Sequence, residues 1–131
     1  MKNTLKTSAL KGVLLVGMVL SLAECDETFT DARDGKTYKT VKIGSQTWMA
    51  ENLNCAYSEG TARSYCYGND PANCEKYDRL YTWSAAMDSA AVFGDGGKGC
   101  GYGVKCTPTY PVRGACPEGW HLPSNAEWDT R

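Results

Sequence analysis

The sequence predicts a single small domain of mixed strand and helix, loop-rich and held by disulfides. Three observations carry this. Seven cysteines are packed into 131 residues behind a leader-like N-terminus. One stretch alternates with the period of a strand, a later one recurs with the period of a helix, and a capping box opens a second helix near the end. Between them lie long segments rich in glycine, proline and asparagine. A hydrophobic content of 42% is enough for a core, and the length is that of one domain.

The N-terminus reads as an export signal over residues 1–24. Lys2, Lys6 and Lys11 form a basic region, and Val13 to Ala23 is a short apolar run without a charge. As a helix that run spans roughly 16 Å, about half of a hydrocarbon core, so a permanent membrane span is not expected. Ser21-Leu22-Ala23 suits ordinary cleavage, whereas Leu22-Ala23-Glu24-Cys25 resembles a lipoprotein box and makes Cys25 the candidate lipid-attachment residue. Glu24 departs from the small residue such a box carries before its cysteine. Membrane association is expected only through that anchor.

Setting aside the three leader lysines and Glu24 leaves 11 basic and 14 acidic residues, a net charge of −3. No clustered basic face is present, so nucleic acid is not an expected partner. An exported chain dense in cysteine implies an oxidising compartment, hence an extracytoplasmic location, at the outer membrane and cell surface or secreted.

Six cysteines remain beyond Cys25: Cys55, Cys66, Cys74, Cys100, Cys106 and Cys116. Cys66 and Cys74 are the expected pair, because turn formers fill the interval between them, and closing that loop stabilises the fold by about 2.5 kcal/mol. Cys100 and Cys106 flank a glycine-rich loop and can pair in the same way, with Cys116 as a competitor, so the pairing of the other four stays open. The lack of a C-x-x-C spacing and the solitary His121 argue against zinc, and no cofactor is expected.

Residues 25–33 read as a polar linker and 34–131 as the domain. Asp34-Gly35-Lys36 is a turn, and Tyr38 to Ile43 alternates so that Val41 and Ile43 form one face and Tyr38, Thr40 and Lys42 the other. This is the pattern of a half-buried strand. Gly44-Ser45-Gln46 then connects to Thr47 to Ala50 as a hairpin. Residues 54–79 read mostly as loop, after which Leu80, Trp83 and Met87 recur at helical spacing. Residues 94–103 and 107–118 are too rich in glycine and proline to be regular. Ser124-Asn125-Ala126-Glu127 is a capping box that opens a helix close to Arg131. A capped start so near the end predicts that the chain is the N-terminal part of a longer domain.

Three segments carry a family resemblance: Ile43-Gly44-Ser45-Gln46-Thr47-Trp48-Met49-Ala50-Glu51-Asn52-Leu53-Asn54, Arg79-Leu80-Tyr81-Thr82-Trp83 through Met87, and Cys116-Pro117-Glu118-Gly119-Trp120-His121-Leu122-Pro123-Ser124 through Trp128. In this order they resemble the Fibrobacter succinogenes major paralogous domain, over about residue 31 to the end, which makes 34–131 a partial copy. The resemblance implies an exported or lipid-anchored surface protein with a further Gly-, Trp- and Ser-rich segment beyond residue 131. The last segment is also similar to C-type-lectin-like folds and to formylglycine-generating sulfatase-modifying enzymes, which implies an α+β, C-type-lectin-like architecture. Asp78 stands where that family has glycine, and Cys55 where it has an aromatic residue.

No catalytic residue carries over from these likenesses. The cysteines match no working motif of the sulfatase-modifying enzymes, and the calcium-binding Glu-Pro-Asn and Gln-Pro-Asp signatures of sugar-binding lectins are missing. The expectation is therefore a non-enzymatic binding or display domain, with cell-wall or plant polysaccharide or envelope proteins as partners. The alternatives are a remnant of a sulfatase-modifying-like enzyme and a non-functional truncated reading frame. Trp48, Trp83, Trp120 and Trp128 lie inside the motifs and are expected in the core. The loop residues Tyr67, Tyr102 and Tyr110 are the candidate ligand surface, since an aromatic ring with a polar edge on a loop suits a polysaccharide.

Overall fold

The computed structural model describes residues 27–129. The export leader and Cys25 lie outside the described residues. The fold is α+β, with two antiparallel three-stranded sheets and two disulfides.

The first sheet has the order β1 (Thr28–Thr30), β2 (Thr37–Ile43), β3 (Gln46–Met49). β1 falls where the sequence predicts linker. Phe29 pairs with Tyr38, and the turn that follows closes through Asp31 N–H donating to the Lys36 carbonyl at 2.8 Å. The two residues of the β2–β3 turn are Gly44 and Ser45, with Gly44 at φ 61, a conformation open to glycine without cost.

Of the two faces of β2, the inner one is that of Tyr38 and Thr40. Tyr38 is buried, whereas Val41 and Ile43 are 43% and 37% exposed. Tyr38 turns inward because its ring is the larger apolar body and its hydroxyl finds a partner there, accepting from the Asn54 N–H at 3.1 Å.

The second sheet joins β4 (Ser58–Glu59), β5 (Ala62–Tyr65) and β6 (Leu80–Tyr81). Helix α1 (Pro71–Tyr77) is inserted between β5 and β6, in a stretch the sequence reads as loop. Its start has a local cause. Asp70 accepts from Ala72 N–H at 3.0 Å as N-cap, and Pro71 supplies a first-turn φ without losing a needed donor. The Cys66–Cys74 bridge, with Cα atoms 4.9 Å apart, ties α1 to the end of β5.

The helical spacing of Leu80, Trp83 and Met87 does not hold at its start, and Trp83, expected in the core, is 56% exposed, as is Leu80 at 57%. Leu80 and Tyr81 pair with β5 as a strand instead, and helix α2 (Trp83–Ala86) is one turn, capped by Thr82 accepting from Ala85 N–H at 3.2 Å. What turns inward is Tyr81, whose hydroxyl donates to the Cys55 carbonyl at 2.6 Å, together with Ala85 and Met87.

The core has two parts. Tyr57, Ala62, Ala85 and Ala115 form one, with Leu53, Tyr81 and Phe93 packed against them. Met87, Cys100 and Val112 form the other, with Leu122 beside them. Buried Asp88 organises the surrounding loop by accepting from the Tyr57 hydroxyl at 2.5 Å and from the N–H groups of Val92, Phe93 and Gly94. At Gly114 a Cβ would meet the Ala86 carbonyl oxygen at 2.0 Å, so only glycine lets the two backbones approach.

A second buried carboxylate fastens the N-terminal strand. Asp31 pairs with Arg33 at 2.7 Å, and the Arg33 guanidinium also donates to the Ala115 carbonyl at 2.8 Å and lies 4.6 Å from the Phe93 ring centroid. Burial raises the Asp31 pKa, but the Arg33 hydrogen bonds and charge outweigh it and hold the carboxylate below its ordinary value.

Candidate functional site: an aromatic cleft beside the first sheet

A cleft of about 440 Å³ runs between β3 and the segment from Cys116 to Trp128. All four residues of β3 line it, opposite Trp120, His121, Glu127 and Trp128. The volume falls in the range of small-ligand sites.

Local structure places each wall. Ser124 and Glu127 form the expected capping box at helix α3 (Asn125–Asp129): the Ser124 N–H and hydroxyl donate to Glu127 Oε2 at 2.7 and 2.8 Å, and Glu127 N–H donates back to Ser124 Oγ at 3.3 Å. Glu127 Oε1 lies 2.7 Å from His121 Nε2. The Ser124 backbone N–H, then His121 and the Ser124 hydroxyl, pull the Glu127 pKa down to about 2.

The cap aims Trp128 at the sheet, where its ring centroid is 4.7 Å from that of Trp48. Trp120 packs in turn on Phe29 of β1 at 5.3 Å. Two buried polar atoms in this wall, Gln46 Oε1 and Trp48 Nε1, have no hydrogen-bond partner among the described residues. Such orphans are uncommon in folded proteins and mark a place where a ligand or water can repay the missing bond.

The tryptophans are therefore not core as the sequence suggested. Trp128 is 44% exposed, Trp83 is outside both core clusters, and Trp48 and Trp120 are half-buried walls of the cleft. One signal in the sequence pointed this way: within α3, Asn125-Ala126-Glu127-Trp128-Asp129, Trp128 is the single large apolar residue and cannot make a buried helical face.

Tyr67, Tyr102 and Tyr110 are 66%, 97% and 72% exposed. None of them lines the cleft. Tyr67 sits in the loop closed by Cys66–Cys74, and Tyr102 in the loop closed by Cys100–Cys106, so two of the three are carried on bridged loops.

Four of the six domain cysteines are bridged, and Cys116 does not displace Cys106 as the partner of Cys100. Cys55 and Cys116 remain thiols, so of the three bridges that six cysteines allow, two are closed. Burial raises the Cys55 pKa and pushes Cys116 up to about 11, although Arg33 opposes the shift at both. Asp31, Asp34 and Cys55 bring three ligand-type atoms within 4.8 Å of one another. Both Asp31 oxygens are taken by Arg33, which leaves that group poorly suited to a cation.

A family model for the Fibrobacter succinogenes major domain matches residues 41–130. The chain belongs to this family. The matched span contains β3, both bridged loops and the whole Cys116–Trp128 wall, so the cleft is built from family residues apart from Phe29 behind Trp120. No curated protein and no solved structure matches the chain.

Proposed function

We propose that this chain is an exported cell-envelope or surface protein whose domain binds a partner without catalysing a reaction. The observation that carries the reading is the cleft, where three tryptophans and two unpartnered buried polar atoms converge on one concave surface. Aromatic side chains with polar edges suit a ligand that offers flat apolar patches and hydrogen-bonding groups together.

Two bridged cysteine pairs support an oxidising, extracytoplasmic location. Anchoring through a lipidated Cys25 is part of the same proposal, as is a C-type-lectin-like architecture, which rests on the likeness of the His121-to-Trp128 segment. A binding role fits the chemistry of the titratable groups near the cleft. The Cys116 thiol is kept protonated by burial, and Glu127 is engaged by its cap and by His121.

Polysaccharide of cell walls or plant walls is the ligand class suggested by the exposed tyrosines. The test is retention of the purified chain by insoluble cellulose and by peptidoglycan, with Tyr67→Ala, Tyr102→Ala, Tyr110→Ala and Trp128→Ala compared with the parent. Retention lost in the tyrosine variants assigns the bridged loops as the contact, and retention lost in Trp128→Ala assigns the cleft. A chain that neither polymer retains overturns the polysaccharide version.

A further inference from the structure

We propose that the cleft receives an extended polypeptide segment of a partner protein, which adds as a fourth strand to the open edge of β3. This rests on the binding reading above and goes beyond it by naming the partner class and the contact.

β3 is the outermost strand of its sheet. Its pairing with β2 is Ile43 with Gln46, Val41 with Trp48 and, past the strand end, Ala50 N–H donating to the Lys39 carbonyl at 2.8 Å. In a hairpin closed by two residues the flanking pair exchanges hydrogen bonds, and every second pair does so thereafter. Gln46, Trp48 and Ala50 are thus the residues bonded to β2. The intervening residues of β2 point the other way, as Thr40 N–H shows by donating to the Glu27 carbonyl at 2.8 Å. By the same alternation the N–H and C=O groups of Thr47 and Met49 point away from β2, and no other residue among those described hydrogen-bonds to them.

Both residues line the cleft, so the open edge faces a concave space rather than bulk solvent. An unpaired edge beside apolar side chains is a template for another strand, and proteins that leave one open either blunt it or use it. β3 has no charged residue and no proline to blunt it. A strand laid there matches the four open backbone groups and sets every second side chain on the face that carries Trp48.

Charge narrows the occupant further. The ionisable lining groups apart from the protonated Cys116 thiol are His121 and Glu127, which engage each other at 2.7 Å. The matching segment is uncharged, with apolar side chains at alternate positions.

The probe is a phage-displayed library of random seven-residue peptides panned on the oxidised full chain, followed by amide hydrogen exchange with a synthetic copy of the selected peptide. The expected result is that exchange at Thr47 and Met49 slows about tenfold or more on binding, while Gln46 and Trp48, already paired with β2, change little. Methylating the peptide nitrogens that face β3 weakens binding about tenfold or more, and methylating the alternate nitrogens does not. Thr47→Pro removes one outward donor at a position where an edge strand tolerates proline, so it keeps the near-UV spectrum and loses the peptide. If that variant fails to fold, the methylated peptides decide alone.

Peptide binding that leaves Thr47 and Met49 exchange unchanged overturns the strand-addition proposal. So does retention by cellulose or peptidoglycan through Trp128 from a chain that selects no peptide, which makes the occupant a polysaccharide. A chain that selects no peptide and is retained by neither polymer overturns the binding reading itself.

Discussion

The ring of Trp128 lies 4.7 Å from the ring of Trp48, and this contact joins the last helix to the first sheet across the cleft. Nothing else in α3 is large and apolar, so the helix of five residues depends on this ring and on the Ser124–Glu127 cap for its position.

Removing the ring isolates its share. Trp128→Ala is expected to cost about 1 kcal/mol, the worth of an aromatic pair plus some burial, and to release α3 while leaving both cores intact. The midpoint of urea unfolding gives the first quantity. The near-UV spectrum gives the second, through loss of the coupled tryptophan signal.

Asp78 ends α1 at φ 61 and ψ −155, a region that is almost confined to glycine. Asp78→Gly relieves the clash of Cβ with the backbone and also removes a carboxyl whose pKa is raised by burial and by Glu51. The expected gain is about 1 kcal/mol in unfolding free energy, read from the denaturant midpoint. A loss would mean that the Asp78 side chain supports the α1 terminus more than its backbone strains it.

Acid should weaken the fold in a defined window. The Glu127 pKa is lowered from 4.5 to about 2, and that of Asp31 also lies below its ordinary value. A carboxyl with a depressed folded pKa contributes its stabilisation in full above its unfolded value and loses it as pH falls through the folded one. Thermal midpoints are therefore expected to be flat from neutrality to about pH 4.5 and to fall between there and about pH 2. Glu127→Gln removes part of that fall, and because the Glu127 side chain is partly open to solvent, which screens its contacts, its part is the smaller one.

Much of this architecture was legible wherever a local rule acts alone. The β2–β3 turn follows from Gly44-Ser45, the Cys66–Cys74 bridge from turn formers in its loop, and the α3 start from Ser124 and Glu127. The failures occur where tertiary partners outweigh local pattern. Alternation along β2 gave two faces but not which one is inside, and that was settled by a partner for the Tyr38 hydroxyl at Asn54. Residues 28–33 look like polar linker until Arg33 is seen spanning Asp31, Ala115 and Phe93. The helical spacing of Leu80, Trp83 and Met87 is real in the sequence, yet pairing of Leu80 with Tyr65 claims its first residue for a sheet. The cleft was hidden for a related reason: tryptophans inside motifs look like core until the sheet and α3 are placed beside each other.

The most direct measurement of the central claim, an extracytoplasmic domain held by two disulfides, is intact mass with thiol alkylation on the chain recovered from an expressing bacterium's envelope fraction. The account predicts a processed chain in which Cys55 and Cys116 resist alkylation until the protein is unfolded, and two thiols then react. A third reacts if cleavage leaves Cys25 unmodified, and a lipidated Cys25 adds the mass of its anchor instead. An unprocessed chain, or one whose cysteines from Cys55 to Cys116 all react without reduction, would contradict it.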